Sequence, residues 1–305
     1  MITRDIDAFL HAARQAPADF GPATARAVFL VAPDGFARAE ESARDNAYMA
    51  EASAFDPDAA LAEHRALQAA LASEVAVTCF AGDPQAPDGL FPNNVFATAA
   101  GVAVVGRMRH PVRQREAGRA DIRAFLAGMP GYRLVDLSGQ PQPCELTGSL
   151  VIDRARGLGW CGLSERCTPQ GAALVHQALG LRATLLFDLA PGEYHTNVVL
   201  AVLAGRAVLF APAGFAAPEA VLQALQAVYG PAGVMALSAG EHAAFAGNAI
   251  SLTPAEAWMS ARAEAALAPA TRAGLAARGL RVRSVALPAI EAAGGSLRCC
   301  VGEIF

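Results

Sequence analysis

Lysine is absent from this sequence, because all 24 of its basic residues are arginine. A lysine Schiff base and a phosphate-binding loop that depends on lysine are therefore excluded. Charged residues of all kinds make up only 17% of the chain, and the formal net charge is -4. Because proteins hold nucleic acids largely by neutralising phosphates with positive charge, this balance argues against a nucleic-acid partner.

Long hydrophobic runs are also absent, although 54% of the residues are hydrophobic. A membrane-spanning helix needs about 20 consecutive apolar residues. The longest apolar stretch without charge, residues 220–240, is interrupted by Gln223, Gln226 and the Gly230-Pro231 break. Residues 1–15 carry charges throughout and lack the apolar core of a signal peptide. We therefore expect a cytoplasmic protein without a membrane partner.

The six cysteines form no C-x-x-C pair. In a chain expected to be cytoplasmic, they are expected to be reduced. No histidines cluster near them, so the spacing does not match a structural zinc site. We expect no metal and no cofactor, and most of the thiols should be buried as small apolar side chains.

An order of two strands, a helix and a further strand recurs along the chain. The copies begin near residues 94, 149, 197 and 249, a period of about fifty residues that is typical of repeat architectures. Each copy is predicted as a hairpin, a helix and a strand. The segments are 94–108, 115–129 and 132–137; 149–162, 169–179 and 183–189; 197–210, 218–229 and 233–237; and 249–260, 261–278 with a break at Pro269, and 281–287.

A fifth copy can be assembled only by joining the two ends of the chain. Residues 299–305 would pair with residues 27–32, followed by a helix at 57–71 and a strand at 75–80. Five ββαβ units closed in this way predict an α/β fold, a fivefold pseudosymmetric propeller, with residues 1–305 as one domain. Closure would remove exposed sheet edges. An open α/β sheet with mixed strands is the alternative.

Four polar segments occupy the same place in their units, immediately before an apolar strand. They are residues 91–94 (FPNN), 145–149 (ELTGS), 194–197 (YHTN) and 294–300 (GGSLRCC). In a ring of such units, equivalent positions meet near the axis. We therefore expect an amide pair, a carboxylate, an imidazole and a thiol in one cavity. Each of these residues also fits a structural role when taken singly, such as turn formation by the asparagines.

These segments resemble the guanidino-group-modifying enzymes, known as the pentein superfamily. The resemblance is closest to the arginine-deiminase-related, citrulline-utilisation hydrolases of the amidinotransferase-like family. It covers nearly the whole chain and implies the fivefold α/β propeller. The matching segments are 31–49 (VAPDGFARAEESARDNAYM), 91–98 (FPNNVFAT), 145–153 (ELTGSLVID), 194–202 (YHTNVVLAV) and 294–305 (GGSLRCCVGEIF).

The resemblance also implies a role for each matching residue. Cys299 would be the nucleophile, His195 the general acid and base, and Glu145 the carboxylate that holds the substrate nitrogens. The implied substrate-binding residues are Asn93, Asn94, Asn197, Arg113 and Arg115. Of Cys299 and Cys300, only one is expected to face the cavity, because successive residues of a strand face opposite sides.

Two carboxylates that grip the cationic guanidinium in arginine deiminases are missing. No aspartate occurs in residues 96–99, and Asn197 stands two residues after His195. In addition, Leu146 replaces the glycine more usual after the glutamate. An unpaired buried charge is costly, so these departures favour a neutral ureido group. We expect a cysteine-dependent hydrolase of non-peptide C–N bonds that converts citrulline to ornithine, ammonia and carbon dioxide.

Other activities of the family stay open. They are arginine deiminase, dimethylarginine dimethylaminohydrolase-like activity and amidinotransferase. A non-catalytic homologue that binds an amino acid is a further alternative, and the intact set of Cys299, His195 and Glu145 argues against it. In every case the expected partner is a small-molecule substrate, and a homodimer is compatible with the sequence.

Overall fold

The computed structural model describes all residues from Met1 to Phe305 as short strands that alternate with helices. The strands in chain order are β1 Ile2–Thr3, β2 Ala27–Val31, β3 Ala76–Phe80, β4 Phe96–Ala99, β5 Val102–Val105, β6 Arg133–Asp136, β7 Leu150–Asp153, β8 Leu158–Leu163, β9 Ala183–Asp188, β10 Leu200–Leu203, β11 Ala207–Phe210, β12 Val234–Ala236, β13 Glu256–Ser260, β14 Arg281–Val285 and β15 Gly302–Ile304. The α-helices are α1 Ile6–Arg14, α2 Pro57–Ala72, α3 Pro111–Gln114, α4 Ala120–Ala127, α5 Leu146–Ser149, α6 Pro169–Leu179, α7 Thr196–Val199, α8 Pro218–Tyr229, α9 Ala239–Ala243, α10 Ala261–Ala266, α11 Pro269–Ala277 and α12 Pro288–Glu291. The 3₁₀ turns are Ser42–Arg44, Ala52–Ala54, Pro92–Asn94, Glu116–Gly118, Pro212–Gly214, Pro231–Gly233 and Leu297–Cys300.

The strands form five sheets, and four of them repeat one pairing pattern. An antiparallel pair followed by a parallel neighbour makes up β4–β5–β6, β7–β8–β9, β10–β11–β12 and β15–β2–β3. The pairing of β15 with β2 places Gly302 opposite Phe29, so the two ends of the chain pair in one sheet, as predicted. Closure of the sheets into one ring stays a prediction.

The boundaries of α6 and α8 agree with the sequence prediction, because both helices have strong end signals. Pro169 and Pro218 each occupy the first helical turn, where a missing N–H costs nothing. The Thr168 side chain accepts a hydrogen bond from the Gly171 backbone N–H (3.1 Å), a cap worth about 1 kcal/mol. Gly180 ends α6 in the left-handed conformation, at φ +65°.

Two predicted segments are wrong in detail. The predicted first strand of the fourth unit, residues 249–252, is reduced to a single bridge between Ile250 and Trp258. Pro254 follows closely, and proline cannot donate a ladder hydrogen bond, so the sheet there is the parallel pair β13–β14 alone. The predicted helix at 115–129 is divided into the turn Glu116–Gly118 and α4, because Arg119 between them leaves the helical conformation (ψ 101°).

The N-terminal strand and helix were not predicted from the sequence. Strand β1 pairs parallel with β9, and α1 packs against β9 and α8. Phe9 is buried and its ring meets Trp160 edge to face at 5.0 Å. The buried residues Phe9, Leu10 and Ala13 stand at helical spacing and the Asp5 side chain caps the helix, so the sequence carried a helix signal that the prediction missed. No helix of the structure, including the 16-residue α2, has the length and hydropathy that a membrane span requires.

The polar unit openings become short helical turns directly before their strands. The turn Pro92–Asn94 precedes β4, α5 precedes β7, α7 precedes β10, and Leu297–Cys300 precedes β15. Helix α5 packs against both the Pro92–Asn94 turn and α7, and the Pro92–Asn94 turn packs against Leu297–Cys300. Segments that are far apart in the chain are therefore neighbours in space, as the repeat predicts.

Candidate active site

The thiol of Cys299 is buried and is held by two asparagine side chains. Asn248 Nδ2 lies 3.3 Å from Cys299 Sγ, and Asn197 Nδ2 lies 3.7 Å from it. Asn248 is itself fixed, because its Nδ2 also donates to the Asn197 carbonyl (2.8 Å) and its Oδ1 accepts from the Arg298 backbone N–H (3.0 Å). The sulfur thus faces polar groups supplied by two other units of the fold.

Cys300 has a different environment, although it is the next residue. Its Sγ lies 3.6 Å from the Ser296 carbonyl and is fully buried in an apolar cluster. Both cysteines belong to a 3₁₀ turn and not to strand β15, so the strand alternation expected from the sequence does not apply here. Of the two cysteines, Cys299 lines the cavity that Asp88 and Asn94 also line, and Cys300 does not.

Glu145 and His195 form a direct pair with no exposed surface. His195 Nε2 lies 2.8 Å from Glu145 Oε2. A carboxylate only accepts hydrogen bonds, so Nε2 carries the proton. In the neutral imidazole, Nδ1 then keeps a free lone pair, and this buried atom has no hydrogen-bond partner. The pair is therefore an oriented base: Glu145 fixes Nε2 of His195, and Nδ1 is free to accept a proton.

Arg166 explains why Glu145 stays ionised. It lies 3.4 Å from Glu145 Oε2 and also donates to Asp45 and to the Ser42 carbonyl. Burial by itself would raise the pKa of Glu145, but the charge of Arg166 and the hydrogen bond with His195 outweigh it and hold this pKa well below its usual range. Burial lowers the pKa of His195, and its contact with Glu145 opposes that effect. The resting pair is a carboxylate and a neutral imidazole.

A cavity lies at Cys299. Its lining includes Asn46, Asp88, Asn94, Tyr194 and Cys299. Asp88 is only 3% exposed and its Oδ1 has no hydrogen-bond partner. The lining thus combines a thiol, a carboxylate and an amide, which are the groups needed to attack and hold a planar nitrogen-rich substrate.

The two arginines predicted to bind substrate behave differently. Arg113 lines the cavity, but its guanidinium is held by Glu116 through two contacts of 2.8 Å and lies 4.0 Å from Asp88. Arg115 does not line the cavity: its side chain is exposed and bonds Gln85 Oε1 (3.4 Å). Arg115 is on the outer side of the turn after α3, where solvation of its charge is cheaper than burial.

The amide pair is buried next to the imidazole. Asn94 lines the cavity, whereas Asn93 lies behind it with both side-chain amide atoms unpartnered and its carbonyl accepting from Thr147 Oγ1 (3.0 Å). Gly148 separates Asn94 from His195. A Cβ at Gly148 would lie 2.7 Å from Asn94 Oδ1 and 2.7 Å from His195 Cε1. The close approach of these two side chains therefore requires glycine.

Gly148→Ala should lower kcat at least tenfold, because His195 or Asn94 must move to admit the methyl group. Overpacking of this kind also costs about 1–3 kcal/mol in the free energy of unfolding. The matched control is Gly139→Ala, whose added Cβ meets no atom within 4 Å. Steady-state kinetics and thermal unfolding of both variants test this, and an unchanged kcat for Gly148→Ala would contradict the packing described.

One family model matches most of the chain. It is described as N,N dimethylarginine dimethylhydrolase, eukaryotic, and it matches residues 32–305. The chain belongs to this family. No curated protein sequence matches it.

Solved structures share the fold of this dimethylarginine dimethylhydrolase family member. The N-terminal domain of ArgZ, an arginine dihydrolase from the ornithine-ammonia cycle in cyanobacteria, superposes with a TM-score of 0.78 at 20% identity, covering 91% of this chain and 97% of that chain. AgrE in complex with ornithine and NAD+ gives 0.78 at 20% identity, covering 91% of this chain and 39% of AgrE. A dimethylarginine dimethylaminohydrolase adduct with S-methyl-L-thiocitrulline gives 0.71 at 20% identity, covering 92% and 100%.

These findings confirm the predicted superfamily, the pentein guanidino-modifying enzymes. They also confirm, at the level of the family, a hydrolase of non-peptide C–N bonds in linear guanidino compounds. The mixed α/β architecture is shared with those structures. No group of three or more histidine, cysteine or acidic side chains is arranged to hold a metal ion.

Leu146 shows how this family member accommodates a departure from the usual glycine. It takes a positive φ of +23°, one of three non-glycine residues that do so. Positive φ is strained for a residue with a branched side chain. The strain is held in place because Leu146 is buried in an apolar cluster, while the Glu145 Oε1 beside it accepts from the Arg109 backbone N–H (2.9 Å).

Several site residues of this family member were missed by sequence reasoning. Asp45, Asp88 and Arg166 come from loops with no periodic signal, so only the tertiary structure brings them to the site. Asn248 was within reach of the repeat argument, because it directly precedes the opening of the fourth unit at residue 249. The same positional rule that selected Asn94 and Asn197 selects it.

The pH dependence of Cys299 alkylation should reveal its burial. Burial raises the pKa of the Cys299 thiol, and the hydrogen bonds from Ser296, Asn248 and Asn197 only partly offset this. The thiolate is the reactive form, so alkylation by iodoacetamide should be slower than that of free cysteine at neutral pH. The alkylation rate of Cys299 should still increase above pH ~8.5, the usual thiol pKa, where the rate for free cysteine is already levelling off.

The measurement is best made in a Cys79→Ser background, because Cys79 is the exposed cysteine and the other five are buried. Peptide mass spectrometry then follows modification at Cys299 alone. A rate that levels off below pH 8 would contradict a thiol that rests in the neutral form.

Proposed function

We propose that this protein is a cysteine-dependent hydrolase of the guanidino group of arginine or an N-substituted arginine. The observation that carries the proposal is the presence of Cys299 and the unpartnered carboxylate oxygen of Asp88 in one cavity. The His195–Glu145 pair next to Gly148 supports it. The family match and the shared fold with the arginine dihydrolase ArgZ support the same substrate class.

Asp88 alters the choice between a guanidino and a ureido substrate. The argument for citrulline depends on the absence of carboxylates suited to a cationic guanidinium. Asp88 supplies one: burial raises the pKa of its carboxyl, Arg113 at 4.0 Å opposes this effect, and Oδ1 has no partner. A bound guanidinium would pair with it by a charge-assisted hydrogen bond, about twice as strong as a neutral one. We therefore favour a guanidinium, with citrulline as the second substrate to test.

In the proposed reaction, His195 first accepts the proton of the Cys299 thiol on Nδ1, and the sulfur attacks the guanidino carbon. A sulfur–carbon bond forms while the π electrons of the C=N bond move to nitrogen, giving a tetrahedral adduct. One carbon–nitrogen bond then breaks, and the departing amine takes a proton from His195. Water attacks the thiouronium carbon as His195 accepts its proton, and the carbon–sulfur bond breaks to restore Cys299 and release a ureido product.

A bound guanidinium would also favour the reactive thiolate form of Cys299. Burial raises the pKa of the Cys299 thiol and so favours its neutral form. A guanidinium next to the sulfur would favour the thiolate, because an opposite charge within ~4–6 Å lowers the pKa of an acidic group. A neutral ureido group carries no such charge. This difference is a second reason to favour a guanidino substrate.

We assign Glu145 a different role from the one implied by the resemblance. Its Oε1 accepts from the Arg109 backbone N–H, and its Oε2 is engaged by His195 and Arg166. Both oxygens are thus engaged within the protein, and Glu145 is not part of the cavity lining. It is a positioning residue for His195, while Asp88 takes the substrate contact. We also propose that residues 1–305 act as one catalytic domain whose five units close in a ring.

Asp88→Asn should lower kcat/KM for arginine or dimethylarginine at least ~100-fold, because the charged partner of the guanidinium is replaced by a neutral amide. Any turnover of citrulline should change by less than about threefold. The assay measures citrulline, ornithine, ammonia and methylamines from each substrate. Asp83→Asn, in the same loop but outside the cavity, is the matched control.

Turnover of citrulline alone, with arginine and dimethylarginine untouched, would overturn the guanidino assignment. A parallel reaction with added glycine separates hydrolysis from transfer, because an amidinotransferase would form a new guanidino compound on glycine. Formation of that compound in place of a ureido product would replace the hydrolase proposal by the transferase.

A further inference from the structure

The serine before the nucleophile's turn uses its side chain in an unusual way. Ser296 occupies the N-cap position of the Leu297–Cys300 turn, where a serine oxygen commonly accepts a hydrogen bond from the backbone of the turn itself. The Ser296 hydroxyl does not cap the turn. It donates instead to Glu291 Oε1 at 2.7 Å. Both residues are buried, Ser296 completely and Glu291 with 5% of its surface exposed.

Glu291 is itself held in place. It is the last residue of α12, and its backbone carbonyl accepts from the Gly294 N–H at 2.9 Å, which closes a tight turn ahead of Ser296. Its second carboxylate oxygen, Oε2, lies 3.7 Å from the largely exposed guanidinium of Arg262. A buried carboxylate is costly unless it is paired, and its hydrogen bonds are about twice as strong as neutral ones. The contact between Glu291 and Ser296 is therefore a strong local restraint.

The Ser296 backbone in turn holds Cys299. The Ser296 carbonyl accepts from the Cys299 N–H at 2.9 Å, within the turn that carries the nucleophile. Burial raises the pKa of the Cys299 thiol, and the hydrogen bond from the Ser296 backbone opposes this, as do those from Asn248 and Asn197. A displacement of Ser296 would therefore change both the orientation of the sulfur and the ease with which it loses its proton.

Other contacts of this segment lie on the side of the cavity. The Gly294 carbonyl accepts from the Tyr194 hydroxyl and from Asn46 Nδ2. Both of these side chains line the cavity, whereas Glu291 and Ser296 do not. The Glu291–Ser296 pair thus reaches the nucleophile without touching the space that would hold a substrate.

We propose that Glu291 and Ser296 are positioning residues for the nucleophile: the Glu291 carboxylate fixes the Ser296 hydroxyl, and the Ser296 backbone holds Cys299 in its reactive orientation. This role depends on the proposed function in one respect, namely that Cys299 is the nucleophile. Because neither residue lines the cavity, loss of the pair should lower kcat and alter the thiol, with little effect on KM.

Ser296→Ala should lower kcat about tenfold or more and change KM by less than about twofold. In a Cys79→Ser background, the pH at which iodoacetamide alkylation of Cys299 reaches half its maximal rate should rise by about half a unit or more, because the displaced Ser296 backbone stabilises the thiolate less. Arg262→Gln is the matched control, since it removes the exposed partner of Glu291 and keeps the Ser296 contact. Its kcat and its alkylation profile should match those of the parent chain.

The double variant Ser296→Ala/Glu291→Leu separates positioning from stability. Ser296→Ala alone leaves a buried carboxylate without its donor and should lower Tm, whereas removal of both partners should restore much of that loss. A positioning role predicts that kcat and the alkylation profile of the double variant stay as impaired as in Ser296→Ala while Tm recovers. The double variant also supplies the kinetic comparison with the parent chain if Ser296→Ala does not fold.

Recovery of kcat together with Tm in the double variant, or an unchanged kcat and alkylation profile in Ser296→Ala, would overturn the proposal. Alkylation needs no substrate. A wild-type chain that turns over no guanidino compound would therefore count against the proposed function, while the alkylation profiles would still decide whether Ser296 and Glu291 control the Cys299 thiol.

Discussion

Cys299→Ala should abolish turnover, with kcat reduced by at least ~10⁴-fold, as expected when a covalent nucleophile is removed. The sulfur is the atom that would bond to the guanidino carbon, and no neighbouring group replaces it. Asn248 and Asn197 hold this thiol at 3.3 and 3.7 Å. Steady-state assay of ammonia or amine release, on protein with an unchanged circular dichroism spectrum, is the measurement.

The adjacent thiol provides the matched control. Cys300 Sγ contacts the Ser296 carbonyl and packs in an apolar cluster. Cys300→Ala should lower the free energy of unfolding, because it leaves a small cavity in the core. Its kcat should stay within about threefold of the wild-type value, because a structural thiol has no part in the chemistry. Loss of activity in Cys300→Ala with retention in Cys299→Ala would show that Cys300, and not Cys299, is the nucleophile.

Glu145→Gln should lower kcat by ~10²-fold or more while changing KM by less than about threefold, because removing an orienting carboxylate leaves the imidazole in the wrong tautomer or position. The amide of glutamine can donate to His195 Nε2, which would move the proton to Nδ1 and block the free lone pair. The split between kcat and KM follows from the positions of the two Glu145 oxygens, neither of which lines the cavity.

Glu165→Gln is the control for this variant, since Glu165 is exposed and pairs with the side chain of Arg109 at 2.8 Å. Its effect on kcat should be within experimental error, because exposed ion pairs contribute about 0–1 kcal/mol to stability. A large rise in KM for Glu145→Gln with unchanged kcat would instead mean that Glu145 binds substrate, as the resemblance alone implies.

Much of the fold could be predicted because the chain marks its element boundaries clearly. Prolines at the first turns of α2, α6 and α8 and the left-handed Gly180 are local signals that need no tertiary information. The pairing of β15 with β2 was predictable from the repeat. Helix α1 was not predicted, although the helical spacing of Phe9, Leu10 and Ala13 after the N-cap Asp5 is a local signal of the same kind.

The site residues likewise fall into those that the sequence pattern indicates and those that only the tertiary structure brings together. Cys299, His195, Glu145 and Asn94 were predictable because they occupy repeated positions. Asp88 and Arg166 were not, since each lies in an irregular loop and acquires its role from contacts with Arg113, Glu145 and Asp45. This is why the substrate predicted from the sequence and the one proposed from the structure differ.

Mass spectrometry of the wild-type chain after treatment with 2-chloroacetamidine tests the central proposal most directly. This reagent carries an amidinium that mimics the substrate cation beside an electrophilic carbon. A single adduct on Cys299, slowed by excess arginine and lost in Cys299→Ala, is the predicted result. An adduct that forms on the exposed Cys79 alone, or modification of Cys299 that Asp88→Asn and excess arginine leave unchanged, would contradict a guanidinium site at this thiol.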